Sequence, residues 1–216
     1  MQDKPTRADK VAQTRERILD AAEQLFAEHG LSNVSNRQIS EAAGQANNSA
    51  VGYHFGSKSE LIKAVVSRHV VPMDQIRARL LTELGDEPDV RDWVACTVKP
   101  MTEHLGSLTS PTWWARLVAQ IMTDPSLYLA ELDESTTSDS GRESEDGLRR
   151  SLPGLPDDAY EERESMVRNL VIYACADRER ALAVGSPTAR PTWDTTAVGL
   201  IDAITAIWQA PVTPID

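Results

Sequence analysis

Residues 35–59 read SNRQISEAAGQANNSAVGYHFGSKS, and the fold turns on this stretch. Ser35 followed three residues later by Gln38 is a capping box, a pairing that satisfies free backbone N–H groups at a helix start. The helix it opens carries Ile39, Ala42 and Ala43 and stops at Gly44. A second helix is predicted from around Asn47, holding Ala50 and Val51 and ending with Tyr53 and Phe55 before Gly56. Ser57 and Glu60 make a further capping box and open a longer helix through Leu61, Ile62, Val65 and Val66. Two short helices joined by a tight, glycine-containing turn can lay the second of them in the major groove of DNA.

Working outward, the apolar set Val11, Ile18, Ala21, Ala22, Leu25 and Phe26 repeats at helical spacing between Lys10 and His29, and Gly30 suits a helix C-terminus. Downstream, Pro72 falls within the fourth helix and predicts a kink or bend there. Pro88 suits the first turn of a fifth helix, Pro111 or Thr112 starts a sixth, and Pro125 begins a seventh. The polar stretch from Glu134 to Gly147 is either the solvated face of a long helix or a mobile loop. The last two helices are predicted at about Asp158–Ala183 and Thr192–Trp208. No alternating strand pattern of useful length appears. The predicted class is therefore all-α: a three-helix helix-turn-helix domain over residues 1–56, a linking fourth helix from 57 to about 84, and a larger helical bundle over 85–216.

Composition narrows the function. The chain has 216 residues, 41% hydrophobic and 25% charged, as a globular protein does. Its net charge of −11 is unevenly spread. Residues 1–70 hold nine Lys and Arg against eight Asp and Glu, while the remainder holds thirteen against twenty-five. The longest apolar run, Leu170 to Ala176, is too short to span a membrane, and the start MQDKPTRADK lacks a secretory stretch, so a cytoplasmic location is expected. Cys96 and Cys175 carry no CxxC spacing and read as buried thiols. There is no GxSxG, HExxH or GxGxxG motif, and GYHFGSKS lacks the adjacent Gly-Lys-Ser/Thr of a phosphate loop. His29, His54, His69 and His104 do not pair at i, i+4, and no Cys–His cluster suggests zinc. Neither an enzyme nor a metal or cofactor site is expected.

The remaining chemistry lies at the short helices. Asn47, Asn48 and Ser49 stand at the N-terminus of the second, where backbone N–H groups favour phosphate, and an Asn amide can read adenine. Ser35, Asn36 and Arg37 start the preceding helix, the other place where amides can meet a phosphate. The same asparagines serve as plain N-caps, so spacing alone leaves both roles open.

The stretch TRERILDAAEQLFAEHGLSNVSNRQISEAAGQANNSAVGYHFGSKSELIKAVV (residues 14–66) resembles the N-terminal domain of the tetracycline-repressor (TetR) family. The resemblance is carried by Ile18, Ala21, Leu25, Phe26, Gly30, Ile39, Ala42, Gly44, Tyr53, His54, Phe55, Lys58 and Leu61. Between Gly44 and Tyr53 the chain has one residue more than the family's usual turn and helix, which leaves the register of base-reading positions open. The resemblance implies a homodimer on a near-palindromic, double-stranded operator, most often a repressor released by a small-molecule effector. By position, Asn47, Asn48, Ser49, Tyr53 and His54 would face DNA, with Ser35, Arg37 and Lys58 on its backbone. Tyr53 has a competing place in the core, and Phe55 belongs there. Arg7, Lys10 and Arg15 read either as a basic flank or as ordinary solvated surface.

The second domain would dimerise and hold the effector. Met166, Leu170, Val171 and Ala174 on one helix, with Val198, Ile201, Ile204, Thr205 and Trp208 on the other, read either as ordinary core or as the dimer seam, and the resemblance implies the seam. The expected pocket is lined by Trp93, Met101, His104, Trp113, Trp114, Leu117, Met122, Tyr128 and Tyr173, which suits an apolar or aromatic effector, although core packing is the more common role for any one of them. The alternative is a small-molecule-binding or catalytic helical protein that has lost DNA binding.

Overall fold

The computed structural model describes residues 6–47, 49–109, 111–123 and 138–213. Within them lie nine helices and no strand: α1 (Arg7–His29), α2 (Asn36–Ala42), α3 (Ala50–Phe55), α4 (Lys58–Thr82), α5 (Val90–Ser107), α6 (Trp114–Thr123), α7 (Asp139–Arg150), α8 (Asp157–Ala183) and α9 (Trp193–Gln209).

Local sequence explains most of the helix starts. The Thr6 hydroxyl accepts from the Asp9 N–H, and the Asp9 carboxylate accepts from the Thr6 N–H, so α1 begins on a full capping box. Ser35 and Gln38 do the same for α2, and the Ser57 hydroxyl accepts from Glu60 N–H at α4. Gly30 ends α1 at φ +80, a conformation that L side chains rarely adopt.

Other starts differ from the sequence prediction. α3 begins at Ala50, not around Asn47. The Asn47 side-chain oxygen accepts from the Ser49 N–H at 2.9 Å, and this local turn competes with helix geometry. Pro88 stands before α5 rather than in its first turn, because Asp89 takes the N-cap in a capping box with Asp92. α6 begins at Trp114, later than Pro111 or Thr112. Its cap comes from a distant helix: the Glu179 carboxylate of α8, 1% exposed, accepts from the N–H groups of Ala115 and Arg116 at 3.3 and 2.9 Å. α4 runs through Pro72 as one helix. Over 139–147 the polar stretch is helical, anchored where the Ser138 and Ser140 hydroxyls donate to Asp74 of α4. Residues 134–137, and Pro125 with its predicted seventh helix, lie outside the described residues.

In the packing, α2 and α3 sit against α1 and α4, α5 lies along α4 and α9, and α6 is held between α8 and α1. Ile18, Phe26, Ile39, Val51, Leu61 and Val65 belong to one buried cluster with Val94, Leu105, Leu117, Ile121 and Ile204, so the core is continuous from α1 to α9. Each such side chain contributes about 1.5–3 kcal/mol relative to exposure.

Candidate nucleic-acid interface and interdomain cleft

Ala50, Val51 and Phe55 turn one side of α3 into the core, so the short helix is fixed in place by its apolar side. Its other side carries Tyr53, 76% exposed, which removes the core placement as an option for this residue. The Tyr53 ring meets His54 edge-on at 5.0 Å. Asn47 and Ser49 are exposed in the turn that leads into α3, ahead of the helix rather than in its first turn, and Asn48 lies outside the described residues. Beside them, Arg37 is exposed and ion-paired to Glu41 at 2.8 Å. The Ser35 hydroxyl is engaged in the α2 cap, and Asn36 is half-buried. Arg15 is exposed, donates to the His54 carbonyl at 2.7 Å and lies over the Phe55 ring at 4.0 Å, clamping α1 to the end of α3.

Lys58, expected on the DNA backbone, is engaged within the protomer in this structure. Its ammonium donates to the carbonyls of Leu31 and Val34 at 2.5 and 2.7 Å and sits 5.6 Å from the Phe26 ring centre. The loop between α1 and α2 has carbonyls that no helix satisfies, and the lysine supplies the missing donors.

The second feature is a cleft of about 910 Å³ between the two domains. α1 contributes Arg17, Asp20, Glu23 and Gln24, α2 and the residue after it contribute Ala42 and Ala43, and α4 contributes Arg68, His69 and Pro72. The end of α5 and the loop to α6 contribute His104, Leu108, Pro111 and Trp113, among others. A buried hydrogen-bonded relay runs through this junction: Glu23 Oε2 lies 2.9 Å from His69 Nε2, and His69 Nδ1 lies 2.8 Å from His104 Nε2. One residue comes from α1, one from α4 and one from α5. The His69 ring stacks on Trp114 at 4.4 Å. Burial, and secondarily His69, pushes His104 down to about 4, so this ring is neutral at pH 7. Arg68 pairs with Asp20 at 2.6 Å alongside.

The effector residues expected from the sequence do not converge. Trp93, Met101, Trp114 and Leu117 are buried as packing, and Met122 is a partly buried neighbour of the same core. Only His104 and Trp113 line the cleft. Tyr173 is 43% exposed on the outside of α8, and Tyr128 lies outside the described residues. The expected dimer seam divides similarly. Val171, Ile201, Ile204 and Trp208 are in the protomer's own core, Ala174 and Thr205 are half-buried, and Met166 and Val198 are exposed. Met166, Leu170 and Tyr173, at i, i+4 and i+7, make one apolar stripe along α8. Among the described residues no group of three or more His, Cys, Asp or Glu side chains forms a metal site, and no helix is long and apolar enough to cross a membrane. Burial pushes the Cys175 thiol up to about 12 and raises Cys96 as well, so neither is a ready nucleophile.

The sequence reading missed Glu23 and Arg68, and left His69 as an isolated histidine. A signal was present: Glu23 falls within the apolar face of Leu19, Ala22 and Phe26, and His69 continues the face of Leu61, Ile62, Val65 and Val66. A titratable group on an apolar face requires a buried partner.

The family model for bacterial regulatory proteins of the tetR family matches residues 18–65, and that for the tetracyclin repressor-like C-terminal domain matches residues 95–206, more than half of the chain. The chain belongs to the TetR family. The HTH-type transcriptional repressor NicS of Pseudomonas putida is 35% identical over 90 residues, which are 41% of this chain and 42% of NicS. The HTH-type transcriptional repressor AcnR of Corynebacterium glutamicum is 28% identical over 92 residues, 40% of this chain and 48% of AcnR. The chain thus spans less than half the length of either of these curated relatives. In fold the likeness extends through both domains. AmtR of Mycobacterium smegmatis superposes with a TM-score of 0.57 at 19% identity, over 92% of this chain and 87% of AmtR. A TetR-like regulator from Rhodococcus sp. RHA1 superposes with a TM-score of 0.58 at 16% identity, over 95% and 96% of the two chains.

Proposed function

We propose that this TetR-family chain is a DNA-binding transcriptional repressor that acts as a homodimer on a near-palindromic operator and is released by a small-molecule effector. The observation that carries the reading is the mounting of α3: Val51 and Phe55 lock it into the core while Tyr53 stands in solvent beside the exposed turn of Asn47 and Ser49. Base readout needs polar groups on a rigid element, and this arrangement supplies them. Asn47, Ser49, Tyr53 and His54 are assigned to the groove, and Ser35, Asn36 and Arg37 to the phosphates at the start of α2. The near-neutral first 70 residues against the acidic remainder favour approach of DNA to this end alone. The apolar stripe of Met166, Leu170 and Tyr173 is assigned to the two-fold contact, which would set two α3 helices one helical turn of DNA apart, about 34–36 Å. A regulator of this kind works in the cytoplasm and needs no catalytic residue.

Selection from randomised duplexes should return an inverted repeat, with affinity falling steeply as salt rises. Tyr53→Ala should weaken binding to the selected duplex about tenfold with an unchanged melting temperature. A chain that stays monomeric at micromolar concentration and enriches no sequence overturns the proposal.

A further inference from the structure

The interdomain cleft has a chemical character of its own. At about 910 Å³ it falls within the usual range of small-molecule sites, roughly 300–1,000 Å³. Its apolar lining residues are Pro72, Leu108, Pro111 and Trp113. Arg116 packs over the Trp113 indole at 4.3 Å and fixes its ring. The lining also carries charged groups, and these are unequally engaged. Both carboxylates have partners: Asp20 is bonded to Arg68 at 2.6 Å, and Glu23 to His69 at 2.9 Å. The Arg17 guanidinium has only a 3.3 Å contact to the Thr14 hydroxyl, and among the described residues no carboxylate pairs with it. Among the described residues Arg17 is therefore the arginine of the lining that has no carboxylate partner, whereas Arg68 is held by Asp20 and lies 4.0 Å from Glu23.

We propose that this cleft binds a compact organic acid, its carboxylate taken by Arg17 and its planar apolar body lying along Pro72, Leu108 and Trp113. A guanidinium presents paired N–H donors that match a carboxylate edge, and the apolar wall accepts a ring without leaving polar groups unmet. The cleft is built from α1 and α2 on one side and from α5 and the loop to α6 on the other. A ligand in it contacts both domains at once, and so favours whichever relative setting of the two fits it better. That regulatory consequence rests on the repressor reading; the binding itself does not.

The test uses the full chain without DNA. Cinnamate, cinnamamide and cinnamylamine are titrated at millimolar concentrations by calorimetry and saturation-transfer NMR. Cinnamate should bind saturably, and the amide and amine should not. Arg17→Gln should weaken cinnamate about tenfold or more, the loss of a charge-assisted contact. Trp113→Ala should weaken it also, while Lys63→Gln, which removes the same charge from an exposed position paired to Glu60, should change nothing. Helical circular dichroism checks that each variant is folded. No saturable binding of cinnamate, equal binding of the amine, or full affinity in Arg17→Gln overturns the proposal. Operator affinity at saturating cinnamate is measured separately, and its outcome bears on the repressor reading alone.

Discussion

Lys58→Met separates two roles that a lysine at the start of a helix beside DNA can have. Methionine keeps the apolar stem and removes only the ammonium, so packing changes little. In the structure that ammonium donates to two carbonyls, Leu31 at 2.5 Å and Val34 at 2.7 Å. A hydrogen bond to a charged group contributes about 1.5–3 kcal/mol, and an acceptor left buried costs a similar amount. The neighbouring loop residues Ser32 and Asn33 are exposed, so water can reach part of what is lost. The expected loss of stability is about 2–4 kcal/mol. Urea denaturation followed by tryptophan emission, with both proteins at the same protomer concentration, should show the midpoint falling at constant m. Operator binding measured on the folded variant should keep its salt dependence, whereas removal of one phosphate contact would lower the slope of log K against log salt by about 0.9. An unchanged urea midpoint together with a shallower salt slope refutes the structural role and returns Lys58 to the DNA backbone.

Gly147→Ala tests the junction of α5 and α7, because a Cβ at this position would lie 2.4 Å from the ring of Trp93, which is buried. The overpacking costs about 1–3 kcal/mol, offset by about 1 kcal/mol of helix propensity; a lowered urea midpoint is expected, and an unchanged or raised one refutes the contact. Gly52→Ala, with open space around it, should gain stability by the propensity contribution alone. For His104 the sign follows from its depressed value: the folded chain refuses a proton until about pH 4, while the unfolded chain takes it up near 6.5. Stability should therefore fall as pH drops through that window and level off below it, by on the order of 3 kcal/mol in total. His104→Gln, whose amide can still donate to His69, should flatten this part of the profile relative to the parent protein; superimposable pH profiles refute the assignment.

What was legible in the sequence was local. Ser35 with Gln38 and Ser57 with Glu60 mark helix starts through partners three residues away: the first forms a full capping box, and the second forms only the bond from the Glu60 N–H to the Ser57 hydroxyl. α6 was misplaced because its cap, Glu179, lies more than sixty residues downstream. The contacts of Lys58 within the protomer were not legible for the same reason, since its partners lie 24 and 27 residues upstream. The residues expected at the pocket pose a different difficulty. Trp93, Met101, Trp114 and Leu117 have the chemistry of a lining, but a core takes the same side chains, and periodicity does not distinguish the two. The informative residues were the misfits: Glu23, His69 and His104, each on the apolar face of its own helix. A buried polar group needs a partner, and three such groups on three helices answer one another across the junction. Apolar side chains there would bury area just as well and would tolerate sliding. Hydrogen bonds have preferred distances and directions, so the relay specifies one setting of the reading head on the body. A ligand able to compete for that setting must then bring polar groups of its own, and the charged cleft is where it would meet the relay, since Glu23, His69 and His104 all stand on its lining.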